Sequence, residues 1–307
     1  MAWSRRGKTA GIGPLLTGVV FLLLMTLQPV RLHAQDGPFF PPLPDRPLTP
    51  RDTLLLHSQR TDTVPLLRFL LPATFTEVGD NQLQDADGVL DSFWEKLRLL
   101  RATGDSLHIL HVGDSHVRGH IFPQTVGDSL KQAFTTLRYT DMGINGAFCT
   151  TFTRPDRVEA VVAQHPDLLI LSFGTNESHN RRYNATLHRQ QLDNLVRALR
   201  DSLPDVPILL TTPPGSYERF GRRRNRSYKI NPRTAATVQT IREYAVSNGL
   251  ALWDMYGLLG GSSRACRNWW ESGLMRPDHV HYLPEGYTLQ GRLLYQAILK
   301  SYNDYVR

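Results

Sequence analysis

The chain has 307 residues, with 35 Lys and Arg against 28 Asp and Glu, a formal net charge of +7. Four of the basic residues (Arg5, Arg6, Lys8 and Arg31) and no acidic ones fall in the first 34 positions, so the remainder holds 31 basic against 28 acidic and gives little reason to expect a nucleic-acid partner. Two cysteines, Cys149 and Cys266, are too few for a thiolate zinc site. In an exported chain they either form a bridge or remain two buried thiols, and spacing does not decide which.

The chain begins with the basic residues Arg5, Arg6 and Lys8, followed by an apolar run from about Pro14 to Val30 and the small residue Ala34 ahead of Gln35. That order reads as a secretory signal peptide over 1–34, which would make the protein periplasmic or secreted. The competing reading is an uncleaved anchor, because the apolar run is nearly long enough to span a bilayer. No cysteine stands at the cleavage point, which argues against a lipoprotein.

Residues 35–50 hold Pro38, Pro41, Pro42, Pro44, Pro47 and Pro50 and read as an extended linker; 51–88 read as an irregular lead-in. From Val89 to Arg307 one domain is expected. Leu90, Phe93, Leu97 and Leu100 recur at helical spacing. Strands are expected at 107–112, 136–140, 167–173, 207–212 and 250–254. Helices are expected near 119–134, 154–164, 186–202, 232–248 and 285–302. Short, mostly apolar strands alternating with helices point to an α/β fold with a doubly wound parallel sheet of about five strands.

Four polar clusters fall just after these strands or in loops at the same end of the sheet. They are Gly113-Asp114-Ser115-His116, Gly143-Ile144-Asn145-Gly146-Ala147, Gly174-Thr175-Asn176-Glu177 and Asp278-His279-Val280-His281. Strand carboxyl ends converge on one crevice, so distant clusters can meet there. The first, alone, is also ordinary helix-capping chemistry. Together they suit acyl transfer. A serine hydroxyl needs a base to take its proton, His281 fits that need, and Asp278 can orient the ring. His279 is the competing base. The Ser115 and Gly146 N–H groups and the Asn176 amide can receive negative charge from an ester carbonyl.

These blocks resemble the SGNH hydrolases, the GDSL-type esterase and lipase superfamily. Ser115, Gly146, Asn176 and His281 match the four residues that name the family, in the right order, over about residues 90–305. The stretch His281-Tyr282-Leu283-Pro284-Glu285-Gly286-Tyr287 and the Gly-Asp-Ser-His form of the first block are similar to bacterial sugar O-acetylesterases of that family. The resemblance implies a three-layer αβα sandwich around a flavodoxin-like sheet. It implies Ser115 as nucleophile, His281 as base, Asp278 as its partner and Gly146 and Asn176 in the oxyanion hole, with no cofactor or metal. The implied partner is an acylated glycan or a small acetylated sugar, with no stable membrane insertion once the signal is removed. About 30 residues separate the first two blocks, too few for the β-sandwich module of some peptidoglycan esterases. The Gly-x-Ser-x-Gly pentapeptide of α/β-hydrolases is absent.

Residues expected to touch substrate are Tyr217, Arg222, Trp269 and Trp270, the arginine belonging to a basic run from Arg219 to Lys229. The same residues also fit core packing or a solvated face. Three other functions remain open. The same acyl-enzyme can serve an O-acetyltransferase. The His-x-His at 279 and 281, with Asp114 and Asn176, invites a metal-dependent phosphoesterase, although no histidine stands beside Asn176. A non-catalytic glycan-binding domain would leave the four blocks unexplained.

Overall fold

The computed structural model describes residues 62–66, 69–221 and 227–307. The signal-peptide and linker readings, and Arg222, lie outside these residues. The strands are β1 (Leu83–Gln84), β2 (Leu107–Gly113), β3 (Leu137–Gly143), β4 (Leu168–Ser172), β5 (Ile208–Thr211), β6 (Tyr217–Phe220), β7 (Ser227–Ile230) and β8 (Ala251–Trp253). The helices are α1 (Asp91–Thr103), α2 (Ser115–Arg118), α3 (Ile121–Ala133), α4 (Pro155–Val162), α5 (Thr175–His179), α6 (Ala185–Arg200), α7 (Arg233–Ser247), α8 (Met255–Leu258), α9 (Gly261–Glu271) and α10 (Pro284–Tyr305).

The main sheet has the order β1-β8-β5-β4-β2-β3. Five of its strands are parallel, in the flavodoxin-like order, and β1 adds an antiparallel edge through Leu83 opposite Trp253. The sixth strand escapes sequence reading because two residues carry no periodicity. The hairpin β6–β7 forms a separate antiparallel pair.

Side chains alternate between two cores, as the period of a strand requires. Ile109, Leu168, Ile170 and Leu209 face one cluster, with Phe93, Trp94, Phe122, Val126 and the apolar face of α10. Leu110, Val112, Leu169, Leu171 and Leu210 face the other, with Leu192, Leu195, Val196, Ile241 and Tyr244. Covering both faces gives the three layers and explains why every residue of β2 is buried. Cys149 and Cys266 are free and buried, so the alternative of a bridge is corrected. Among the described residues no helix is long and apolar enough to cross a membrane.

The lead-in is tied to the domain. Val64 is buried, and its backbone exchanges two 2.8 Å hydrogen bonds with the side chain of Asn303. The Asn81 amide donates to Leu293 O at 2.8 Å, and its carbonyl accepts the buried Trp253 indole N–H at 3.0 Å. Replacing Asn81 by Ala strands that N–H and that carbonyl, and should cost about 2–4 kcal/mol. Urea denaturation of the variant checks this; an unchanged midpoint would show that the anchor contributes nothing.

Candidate active site

The register sets the stage. Gly113 of β2 lies opposite Gly143 of β3 and Ser172 of β4, and Ser172 lies opposite Thr211 of β5. Four strands therefore end in one row. The turn after β2 is pressed between its two neighbours. A Cβ on Gly113 would lie 2.6 Å from Ser172 O, and one on Gly143 would lie 2.1 Å from Arg118 N. Only glycine allows this approach. Asp114 N donates to Ser172 O at 3.3 Å, and the Asp114 carboxylate caps α2 by accepting His116 N–H at 2.9 Å. Ser115 is thereby fixed at the start of α2, facing the crevice.

Ser115 Oγ lies 2.9 Å from His281 Nε2, and His281 Nδ1 lies 2.9 Å from Asp278 Oδ2. A carboxylate can only accept, so the ring proton sits on Nδ1 and leaves Nε2 to accept from the serine hydroxyl. Asp278 Oδ1 also accepts the N–H groups of Val280 and His281, each at 2.9 Å. Partial burial pushes the Asp278 carboxyl up. The N–H groups of His281 and Val280, with the His281 ring, outweigh that and hold it below the usual range.

The loop bearing Asp278 and His281 is clamped by aromatic stacking. His279, in a left-handed backbone conformation (φ 61°), is sandwiched between Tyr228 at 3.7 Å and Trp270 at 3.9 Å. Its carbonyl accepts Tyr217 N–H at 2.9 Å. His279 is therefore occupied as a wedge and does not compete for the serine.

Gly146 (φ 72°) lies in the loop after β3, and Asn176 lies on α5. Asn176 Nδ2 spends one proton on Ala147 O at 2.8 Å and keeps a second donor. Ser115, Gly146, Asn176 and His281 line one cavity of about 580 Å³, together with Arg118, Gly119, Asn145, Arg276, Val280 and Tyr287. Glu177 sits behind it, accepting Gly174 N–H at 2.9 Å and Cys149 N–H at 2.7 Å, and so joins two of the site loops. Burial drives the Glu177 carboxyl up, against those N–H bonds.

Two other histidines near the site are buried in the packing. His111 bonds Ser172 Oγ and the Tyr139 hydroxyl. His116 bonds the Tyr287 hydroxyl. Burial lowers both rings to about 3, so both stay neutral.

Of the residues expected to touch substrate, Arg222 lies outside the described residues and the other three pack against neighbouring side chains. Trp269 is fully buried against Phe75 and Tyr282. Trp270 and Tyr217 pack on His279. None of the three lines the cavity. Arg118 and Arg276 do, and reasoning from the sequence passed over them. Their signal was proximity: one lies three residues after Ser115, the other two before Asp278.

For a metal, the ligands of the phosphoesterase reading do not converge. His281 faces Asp278, His279 lies in its sandwich, and Asp114 caps the turn. Among the described residues, Cys149, Glu177 and His188 bring one ligand atom each within 4.8 Å of one another.

A hydroxyl, an oriented imidazole and a carboxylate in line, facing free amide donors, are the parts of a serine hydrolase acting on acyl esters. A family model agrees: that of the GDSL-like Lipase/Acylhydrolase family matches residues 102–289. The chain belongs to this family and is an SGNH hydrolase that acts on carboxylic esters. No curated protein sequence matches the chain. Its fold is similar to that of a peptidoglycan O-acetylesterase, with a TM-score of 0.64 and 18% identity over 72% of this chain and 99% of that one. It is also similar to that of an acetyl xylan esterase, with a TM-score of 0.51 and 19% identity over 62% of this chain and 100% of that one.

Asp114 yields a test of the turn. Burial raises its carboxyl from 3.8 to about 7, assisted by the charge of Glu177 and opposed by the His116 N–H. The folded state thus binds this proton more tightly than the unfolded chain. The stability it confers is complete below pH 3.8 and is lost as pH rises towards 7. Asp114→Asn keeps the capping oxygen without the charge. Relative to wild type, its unfolding free energy from urea titration should climb between pH 4 and 8, by roughly 1–3 kcal/mol. A difference independent of pH would show that Asp114 is ionised throughout.

Proposed function

We propose that the protein is an exported serine esterase that removes acetyl groups from a carbohydrate. The observation that carries this reading is the Ser115–His281–Asp278 relay, with both contacts at 2.9 Å, opening on the cavity that Gly146 and Asn176 line.

His281 Nε2 takes the Ser115 proton as Oγ attacks the ester carbonyl. The carbonyl oxygen, now negative, is held by the N–H groups of Ser115 and Gly146 and the free proton of Asn176 Nδ2. Collapse breaks the ester C–O bond, and His281 passes its proton to the departing sugar oxygen. A water molecule then gives a proton to His281 as it attacks the acyl-Ser115 carbonyl; the Oγ–C bond breaks, His281 returns that proton to Ser115 Oγ, and acetate leaves. Side-chain exposures of 33% for His281 and 49% for Asp278 support access of that water.

The carbohydrate assignment is supported by the cavity volume of about 580 Å³, which suits a sugar residue and its neighbour. It is also supported by the peptidoglycan and xylan esterases that share the fold. Export rests on the basic start and apolar run of residues 1–34.

Acetate release from a panel of acetylated glycans tests the reading. Ser115→Ala should lower kcat by roughly 10³–10⁶-fold. Asn176→Ala should lower it by about 10²–10³-fold with a smaller change in KM. Full activity of Ser115→Ala would overturn the assignment.

A further inference from the structure

We propose that Arg118 and Arg276 form an anion-recognition pair that selects acyl esters on sugars carrying a carboxylate, such as uronates. The proposal deepens the esterase reading and rests on it.

The walls of the cavity are electrostatically one-sided. Two guanidinium groups line it, and no aspartate or glutamate does. Among the described residues neither Arg118 nor Arg276 has a carboxylate partner. The nearest acid in the relay, Asp278, is committed to His281 and to two backbone N–H groups. Of the remaining polar lining, Asn145 offers a further donor.

Arg118 is held in place. Its Nη1 donates to His120 Nε2 at 2.6 Å, and His120 Nδ1 donates to Asp141 at 2.9 Å. His120 adopts a left-handed backbone (φ 64°) in this arrangement, a conformation a non-glycine residue keeps only where its surroundings enforce it. An Asp141–His120–Arg118 chain therefore fixes a guanidinium one helical turn from the serine. Arg276 belongs to the loop of the base: its N–H donates to His281 O at 2.8 Å. One cation thus travels with the nucleophile and the other with the base, and both line one cavity.

Such a pair suits a planar anion. A guanidinium binds a carboxylate with two parallel N–H···O bonds. A neutral sugar would be enclosed by two cations and neutralise neither. Both arginines are exposed, which sets the expected effect at the level of a solvent-screened pair.

Binding separates this proposal from the turnover reading. Ser115→Ala protein is titrated by calorimetry with a galacturonate trisaccharide, its fully methyl-esterified form and a sugar phosphate of equal size. The uronate should bind roughly tenfold more tightly than the methyl ester, with an advantage that shrinks as salt rises. In Ser115→Ala with Arg118→Gln and Arg276→Gln together, the preference should fall to about twofold or less. Circular dichroism melting verifies that this variant folds. If Arg118→Gln or Arg276→Gln alone is used, each should remove part of the preference. Equal affinity for acid and ester, no binding of the uronate, a preference that survives both substitutions, or tighter binding of the phosphate would overturn the proposal. Failure of the esterase reading looks different: wild type would release no acetate from any acetylated sugar, whatever the binding results.

Discussion

The site depends on how closely the backbone after β2 approaches the strands beside it. Gly143 lets the end of α2, at Val117 and Arg118, settle onto β3 at a distance no side chain tolerates, and Gly113 lets the end of β2 approach Ser172 of β4 as closely. With both neighbours in contact, the turn has little room to shift. Ser115 inherits that rigidity: its hydroxyl, its N–H and the first turn of α2 are presented at the carboxyl edge of the sheet as one unit. Catalysis by positioning tolerates errors of less than about 1 Å, and backbone packed on backbone is a stiff way to meet that demand.

The base reaches the serine from the far end of the chain, over a separation of 166 residues. No sheet strand carries it, so it needs its own anchor. The structure supplies one in His279, wedged between Tyr228 and Trp270, with the hairpin β6–β7 bonded to its carbonyl. Asp278 tightens the same loop by accepting two of its N–H groups while it orients His281. Tyr217 and Trp270, expected to stack on sugars, both pack on His279 and so brace the loop of the relay. Burial keeps the nearby His116 ring neutral, so that ring adds no charge beside the relay.

Much of the fold was legible because a parallel sheet covered on both faces leaves continuous apolar runs. The run expected at 167–173 is β4, Leu168–Ser172. The expected helix at 285–302 is α10, Pro284–Tyr305, whose start is marked by a proline at its first position. The short elements were not legible. β1 pairs through two residues, and the hairpin has a half-exposed pattern that depends on its contact with His279. Helix α9 had a signal that went unused: Ala265, Cys266 and Trp269 mark one buried face at helical spacing, which places Trp269 in the core. In the site, the residues whose roles follow from local blocks could be read. Arg118 and Arg276 could not, because only the folded chain shows that they face the same cavity.

The central claim is that Ser115 is a nucleophile activated by His281. Its most direct measurement is the site and rate of modification by a fluorophosphonate, read by peptide mass spectrometry on wild type and on His281→Ala. The account predicts one adduct, on Ser115, with labelling slowed by orders of magnitude when the imidazole is removed. An adduct on another residue, or Ser115 labelling at an undiminished rate without His281, would contradict it.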